Sequence, residues 1–156
     1  MAIAKTLQRF LEEHGVEHEV LTHAATPSAS RSAEATHVPG DDVAKAVLLK
    51  DEAGCLLAVL PASYKIQFGQ LWRVLHRPMG LATEADVALL FKDCEAGAVP
   101  PVGEAYGVPV VIDETLAKRP DIYFEGGDHQ SLVHVKGEQF RKLMDKAQVS
   151  RFSRHS

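Results

Sequence analysis

The apolar residues of the first fourteen positions fall on one stripe. Ile3, Leu7, Phe10 and Leu11 recur at helical spacing among charged neighbours, which predicts an amphipathic helix over residues 2 to about 14 with Gly15 as its stop. The period then shortens. VEHEVLTH reads as a short strand, and TPSASRSAEATHVPG carries caps and turn residues around a short helix near 29 to 37. DDVAKAVLLK, residues 41 to 50, and CLLAVLP, from 55, are apolar runs of strand length parted by the turn DEAG, and they read as a hairpin. Phe68, Leu71, Trp72 and Leu75 mark a helical stripe over 64 to 76. Thr83, with Asp86 three positions on, resembles a capping box opening a helix that buries Val87, Leu90 and Phe91. CEAGAVPPVGEAYG holds Gly and Pro too densely for a regular element. VPVVID, DIYFEG and SLVHVK are strand candidates, and a last helix over 137 to 146 groups Phe140, Leu143 and Met144. With no internal repeat and no linker, the expectation is one compact α/β domain over residues 1–156, its sheet mixed and largely antiparallel, flanked by helices.

The central strand contains an anomaly. If it alternates, Val43, Lys45, Val47 and Leu49 point to one face and Ala44, Ala46 and Leu48 to the other. Lys45 then shares a face with large aliphatic side chains, whereas Lys50 at the strand's end is ordinary surface. A strand lysine usually lays its stem along apolar surface and keeps its ammonium wet. One turned toward a lined pocket instead needs an anionic or carbonyl partner, because burial disfavours its charged form.

Composition narrows the classes without choosing among them. A hydrophobic fraction of 46% and a charged fraction of 24% are those of an ordinary globular chain. No apolar run approaches the ~20 residues of a membrane span, and the N-terminus lacks a signal-type segment, so a cytoplasmic protein is expected. Cys55 and Cys94 form no CxxC pair, which fits a reducing compartment. A formal charge of −4 argues against a general nucleic-acid coat and gives no reason to expect DNA as a partner. Local basic clusters remain: Lys136, Arg141, Lys142, Lys146, Arg151 and Arg154 toward the C-terminus, and Arg73, His76 and Arg77.

Candidate chemistry is thin by motif. Neither HExxH nor a Cys/His zinc spacing occurs among the histidines, and His14 and His18 are separated by a helix-stopping glycine, so no metal is expected. GxSxG, GxGxxG and Walker A patterns are absent. Cys94 with His129 is a conceivable nucleophile pair, although a free cysteine is more often a small buried hydrophobe. Two segments add to Lys45. GAVPP, Gly97 to Pro101, is a stiff loop able to present backbone N–H groups, and EGGDHQS, residues 125 to 131, is a hairpin turn with His129 leading into the next strand.

Taken in order, the lysine of VAKAVLLK, the GxxxP loop in CEAGAVPPVG, VPVVIDETL and GGDHQSLVHV followed by EQFRKL resemble the YbaK/prolyl-tRNA synthetase-associated family of editing-domain-like aminoacyl-tRNA deacylases. The likeness spans roughly residues 20 to 146. It implies hydrolysis of the ester of a mischarged aminoacyl-tRNA, tRNA-Pro carrying Ala, Ser or Cys above all, with no cofactor. Its partners would be the acceptor end of the tRNA and prolyl-tRNA synthetase. By the same likeness Lys45 is the catalytic residue, and Gly97, Ala98, Val99, Pro100, Pro101, Asp113, His129 and Ser131 bind substrate. No role is carried onto His23, Thr26 or Ser28. Two other readings stay open: a non-catalytic tRNA-end or protein-binding module on the same fold, and a hydrolase of some other activated ester.

Overall fold

Leu7, Phe10 and Leu11 are buried along one side of the first helix, α1 (Lys5–Glu13), and Gly15 turns the chain out of it at φ +61°. The computed structural model describes residues 3–23, 32–33 and 36–155; the helix expected near 29 to 37 lies largely outside them. β1 (Glu19–Thr22) is followed by a short 3-10 turn at Gly40–Asp42, which leads into β2 (Val43–Asp51) and β3 (Gly54–Pro61). Next come β4 (Tyr64–Ile66), α2 (Phe68–Leu75), β5 (Gly80–Leu81) and α3 (Glu84–Leu90). The Thr83–Asp86 capping box is formed in full at the start of α3. After the Gly/Pro loop, β6 (Val110–Asp113) runs into the one-turn helix α4 (Glu114–Ala117), then β7 (Asp121–Glu125), β8 (Ser131–Lys136) and α5 (Gly137–Leu143). Two short strands close the chain, β9 (Gln148–Ser150) and β10 (Ser153–His155).

One mixed sheet has the order β1-β8-β7-β2-β3-β6-β9, with β5 on β2. β2 and β3 form the expected antiparallel hairpin, Lys45 opposite Leu60. β3–β6, β6–β9 and β2–β7 are parallel. The β2–β7 pairing joins two halves of the sheet through only Val43↔Tyr123 and Ala44↔Phe124. The alternation expected in β2 holds. Ala44, Ala46 and Leu48 face the larger core with Leu57, Val59, Ile112, Phe124 and Phe140, under α1 and α5. The opposite face carries two separate apolar groups, Leu49, Ala58, Leu60, Leu71 and Phe152 in one, and Ala33, Val43 and Ala62 in the other. Val47 packs on the first and Val43 belongs to the second, so Lys45 lies at the join between them.

The helix read over 64 to 76 begins only at Phe68, because Tyr64–Ile66 pairs as a strand with β10. A partner some ninety residues away overrides the local pattern there, as β-pairing commonly does. The last helix likewise stops at Leu143, and Gln148–Ser150 extends the sheet.

Asp113 ties this C-terminal segment down. Fully buried, it caps α4 through the N–H and hydroxyl of Thr115, and its other oxygen accepts from the N–H groups of Phe152 and Ser153 and from the Ser153 hydroxyl at 2.6 Å. Burial alone would raise its pKa, but the donors from Ser153, Thr115 and Phe152 outweigh burial and hold it below the ordinary 3.8. A depressed carboxylate adds stability above its unfolded pKa and loses it as pH falls through the folded one. Asp113→Ala should therefore lower unfolding stability by about 2–4 kcal/mol in urea titrations at pH 7. The difference from the parent should shrink as the titrations are repeated below the unfolded value, and a constant difference would refute the assignment.

Candidate active site

Of the three sequence features, β2 supplies the first. The Lys45 ammonium is half-buried and donates to the carbonyl of Tyr64 at 2.6 Å and, more weakly, to that of Ala62 at 3.4 Å. The Ala62 carbonyl lies in the turn between β3 and β4 and that of Tyr64 opens β4; the 3-10 turn buttresses this junction, the Ser63 hydroxyl donating to Asp41. Burial lowers the Lys45 pKa, and the neighbouring Lys65 charge lowers it further. This is a cation fixed by dipoles, and among the described residues no carboxylate pairs with it.

The second and third features meet each other. The Glu95 N–H donates to the Gly127 carbonyl at 2.8 Å, and the His129 Nε2–H donates to the Ala96 carbonyl at 2.5 Å. Gly127 has φ +112° with the Cys94 thiol and Ala4 pressed close, so a side chain would be both strained and crowded there. Asp128 closes the turn, accepting from the N–H groups of Gln130 and Ser131 and from the Ser131 hydroxyl. His129 itself sits at φ +61°, a left-handed conformation that costs a non-glycine residue on the order of 1 kcal/mol. In the loop it touches, Gly97 is exposed at φ +83° while Ala98, Pro100 and Pro101 are buried. Ala98 donates its N–H to Glu95; among the described residues the N–H groups of Gly97 and Val99 have no partner.

Sheet register links this assembly to Lys45. β7 runs parallel to β2, and the recorded pairing ends at Ala44↔Phe124, so the next residues along the two strands are Lys45 and Glu125. Alternation turns both away from the larger core, to the same face. Glu125 then leads directly into the Gly126–His129 turn. Its carboxylate is 2% exposed and accepts from the Ser32 hydroxyl through Oε1 at 2.5 Å, whereas Oε2 is buried without a partner. The His129 ring is in a similar position. With Nε2–H given to a carbonyl, Nδ1 is the bare acceptor of the neutral ring, and it too is buried and unpartnered. Sequence reasoning left Glu125 without a role. The available signal was an acid on the non-core face of a strand, placed immediately before paired glycines.

Other expected site residues stand elsewhere or act indirectly. Asp113 has its oxygens committed to the C-terminal segment, as described above, and Ser131 is buried against Asp128. Cys94 touches Tyr106 and Asp93, and burial pushes its thiol up to about 12. His134 stacks on Tyr123 between Glu19 and Asp121. Of the C-terminal basic residues, Lys136 pairs with Asp121 and Lys146 with Glu104. Arg154, however, lies directly opposite Lys65 in the β4–β10 ladder, both exposed, on the strand whose Tyr64 holds Lys45. A separate cavity of about 420 Å³ is lined by Lys118, Arg119, Lys136 and Arg141.

Comparison with known proteins gives this geometry a context. No curated protein sequence matches the chain. Among solved structures it superposes on a candidate trans-editing enzyme for prolyl-tRNA synthetase with a TM-score of 0.84 and 26% identity, covering 96% of each chain. A scaffold protein from computational grafting of linear epitopes gives 0.84 at 27% identity over 97% of each. The hypothetical protein APE2540 gives 0.84 at 21% identity, over 96% of this chain and all of that one, a likeness of fold alone. The sequence model of the aminoacyl-tRNA editing domain matches residues 23–143. The chain thus belongs to the aminoacyl-tRNA editing domain family and is an aminoacyl-tRNA deacylase, an ester hydrolase built on this mixed sheet.

Proposed function

We propose that the protein works in trans, in the cytoplasm, removing a small non-cognate amino acid (Ala, or Ser or Cys) from tRNA-Pro before it reaches the ribosome. The observation that carries this reading is the Lys45 ammonium, half-buried and held by two carbonyls, on the strand next to the one that leads into the His129 turn. The likeness to a candidate trans-editing enzyme for prolyl-tRNA synthetase supports the choice of tRNA and makes that synthetase a natural partner.

An aminoacyl ester is already activated, so the site has to position a water and stabilise charge on the carbonyl oxygen. Lys45 keeps a third N–H after serving Tyr64 and Ala62, and it would donate that one to the developing oxyanion. The bare Nδ1 of His129 would accept a proton-side hydrogen bond from the attacking water or from a ribose hydroxyl. The N–H groups of Gly97 and Val99 would receive the terminal adenosine or the ester oxygens, in a loop whose two prolines keep it from collapsing. Size then selects the amino acid. A methylene is worth only ~1–3 kcal/mol in binding, which is the reason a separate hydrolytic check is useful. A thiol route is disfavoured, since Cys94 stays protonated near neutral pH. The opposed Lys65 and Arg154 repel across their ladder unless a polyanion lies over them, which supports an acceptor-stem phosphate there.

With tRNA-Pro charged in turn with Ala, Ser, Cys and Pro, the protein should accelerate loss of the small non-cognate esters and spare prolyl-tRNA; no acceleration with any of them defeats the proposal. Lys45→Ala should cut kcat/KM by about 10²–10³. Cys94→Ala should stay close to the parent rate, and a collapse of activity in a folded variant would reinstate the thiol. Lys65→Ala and Arg154→Ala should each make the log–log salt dependence of KM shallower by about 0.7–0.9. An unchanged slope would favour a hydrolase of small esters.

A further inference from the structure

Two opposite charges project from the same face at neighbouring positions of adjacent strands, yet they do not pair. Lys45 turns its ammonium to the carbonyls of Tyr64 and Ala62, and Glu125 turns one oxygen to Ser32, leaving the other buried and unpartnered. A buried carboxylate oxygen without a donor is costly and is seldom left so without a reason. Burial pushes the Glu125 pKa up; the Ser32 hydroxyl and the nearby His23 and His129 rings pull against it, and Asp128 adds to the rise. No cationic side chain among the described residues bonds to it. The missing partner is a donor, and a cation would satisfy both its lone pairs and its charge.

Resting on the deacylase reading, we propose that Glu125 binds the α-ammonium of the aminoacyl ester, so that the substrate spans the gap between Glu125 and Lys45. An aminoacyl ester has the matching polarity. Its ammonium is two bonds from the carbonyl carbon, and the oxygen that gains negative charge lies on that carbon's other side. With the ammonium on Glu125 and the oxygen on Lys45, the carbonyl is held at a fixed angle to His129 Nδ1. The side chain, the one part that differs among amino acids, is left to be judged by shape. Ser32 is then a positioning residue: its hydroxyl holds Oε1 and aims Oε2 at the gap. The same contact rejects acyl groups that lack an amine, such as N-blocked or hydroxy-acid esters.

The test compares alanyl-tRNA with lactyl-tRNA, in which a hydroxyl replaces the amine at nearly the same size. Each catalysed rate is divided by the rate of the same ester in buffer, because the ammonium also activates the ester intrinsically. The parent protein should prefer the alanyl ester by about 10- to 100-fold in kcat/KM, the range of one charged hydrogen bond. Glu125→Gln should erase that preference by losing rate on alanyl-tRNA while keeping its rate on lactyl-tRNA. Equal losses on both esters, or a preference retained in Glu125→Gln, would overturn the assignment. So would a parent protein that shows no preference, which decides the matter even if the glutamine variant does not fold. In that event Glu125→Asp, which keeps the charge but withdraws it by one methylene, should narrow the preference. A parent inactive on alanyl-tRNA and every other charged tRNA-Pro refutes the proposed tRNA-Pro reading itself, whereas failure on Glu125 alone leaves that reading standing.

Discussion

Two residue pairs, Val43↔Tyr123 and Ala44↔Phe124, hold the sheet together across its middle. On one side lie β7, β8 and β1; on the other lie β2, β3, β6 and β9. The placement of Lys45 beside Glu125 follows from that short parallel contact. Because the strands run the same way, Lys45 and Glu125 emerge side by side where the pairing stops. The same direction brings the turn after β7 toward the strand's end, not away from it. A slip of one residue in this register would send Lys45 into the larger core and Ala44 out to the face. Ala44, with Phe124 beside it in the core, makes such a slip costly.

The site is held open by partners outside it. Lys45 could have reached toward Glu125 and formed a buried ion pair, which would close the gap and remove both groups from use. The end of the β3–β4 turn and the start of β4 offer two carbonyls instead, and the turn is itself fixed by Asp41 and Ser63. On the other side Ser32 holds one Glu125 oxygen. Each charge is therefore stabilised enough to be tolerated but not neutralised. This arrangement is less stable than a closed pair, and the apolar groups around Val43 and Leu60 supply the compensating burial.

Much of this was legible in the sequence because the local signals agreed with the final contacts. The capping box of α3, the stripe of α1 and the β2–β3 hairpin needed no distant partner to be read. The face assignment of Lys45 followed from alternation alone. Long-range pairing hid the rest. Tyr64–Ile66 continues smoothly into a helical stripe and becomes a strand only because β10 returns to it. Asp113 looks like a loop acid in VPVVIDETL, yet its partners at Phe152 and Ser153 lie some forty residues on. Glu125 was invisible as a site residue because its meaning depends on β7 lying next to β2, which no periodicity encodes.

His129 shows how the pieces depend on one another. Its backbone is held left-handed by a turn that Asp128 closes, and its ring is held by the Ala96 carbonyl of the proline loop. Turn and loop thus fix each other, and the ring's tautomer is set by the same bond that joins them. A histidine free to rotate could offer either nitrogen to a substrate; this one can offer only Nδ1. For an ester that needs little chemical persuasion, such fixed placement would be the larger part of catalysis in the proposed mechanism. The strain at His129, the unpaired charges on Lys45 and Glu125 and the thin β2–β7 contact are then parts of one arrangement, in which stability is given up at the point where the sheet's two halves meet.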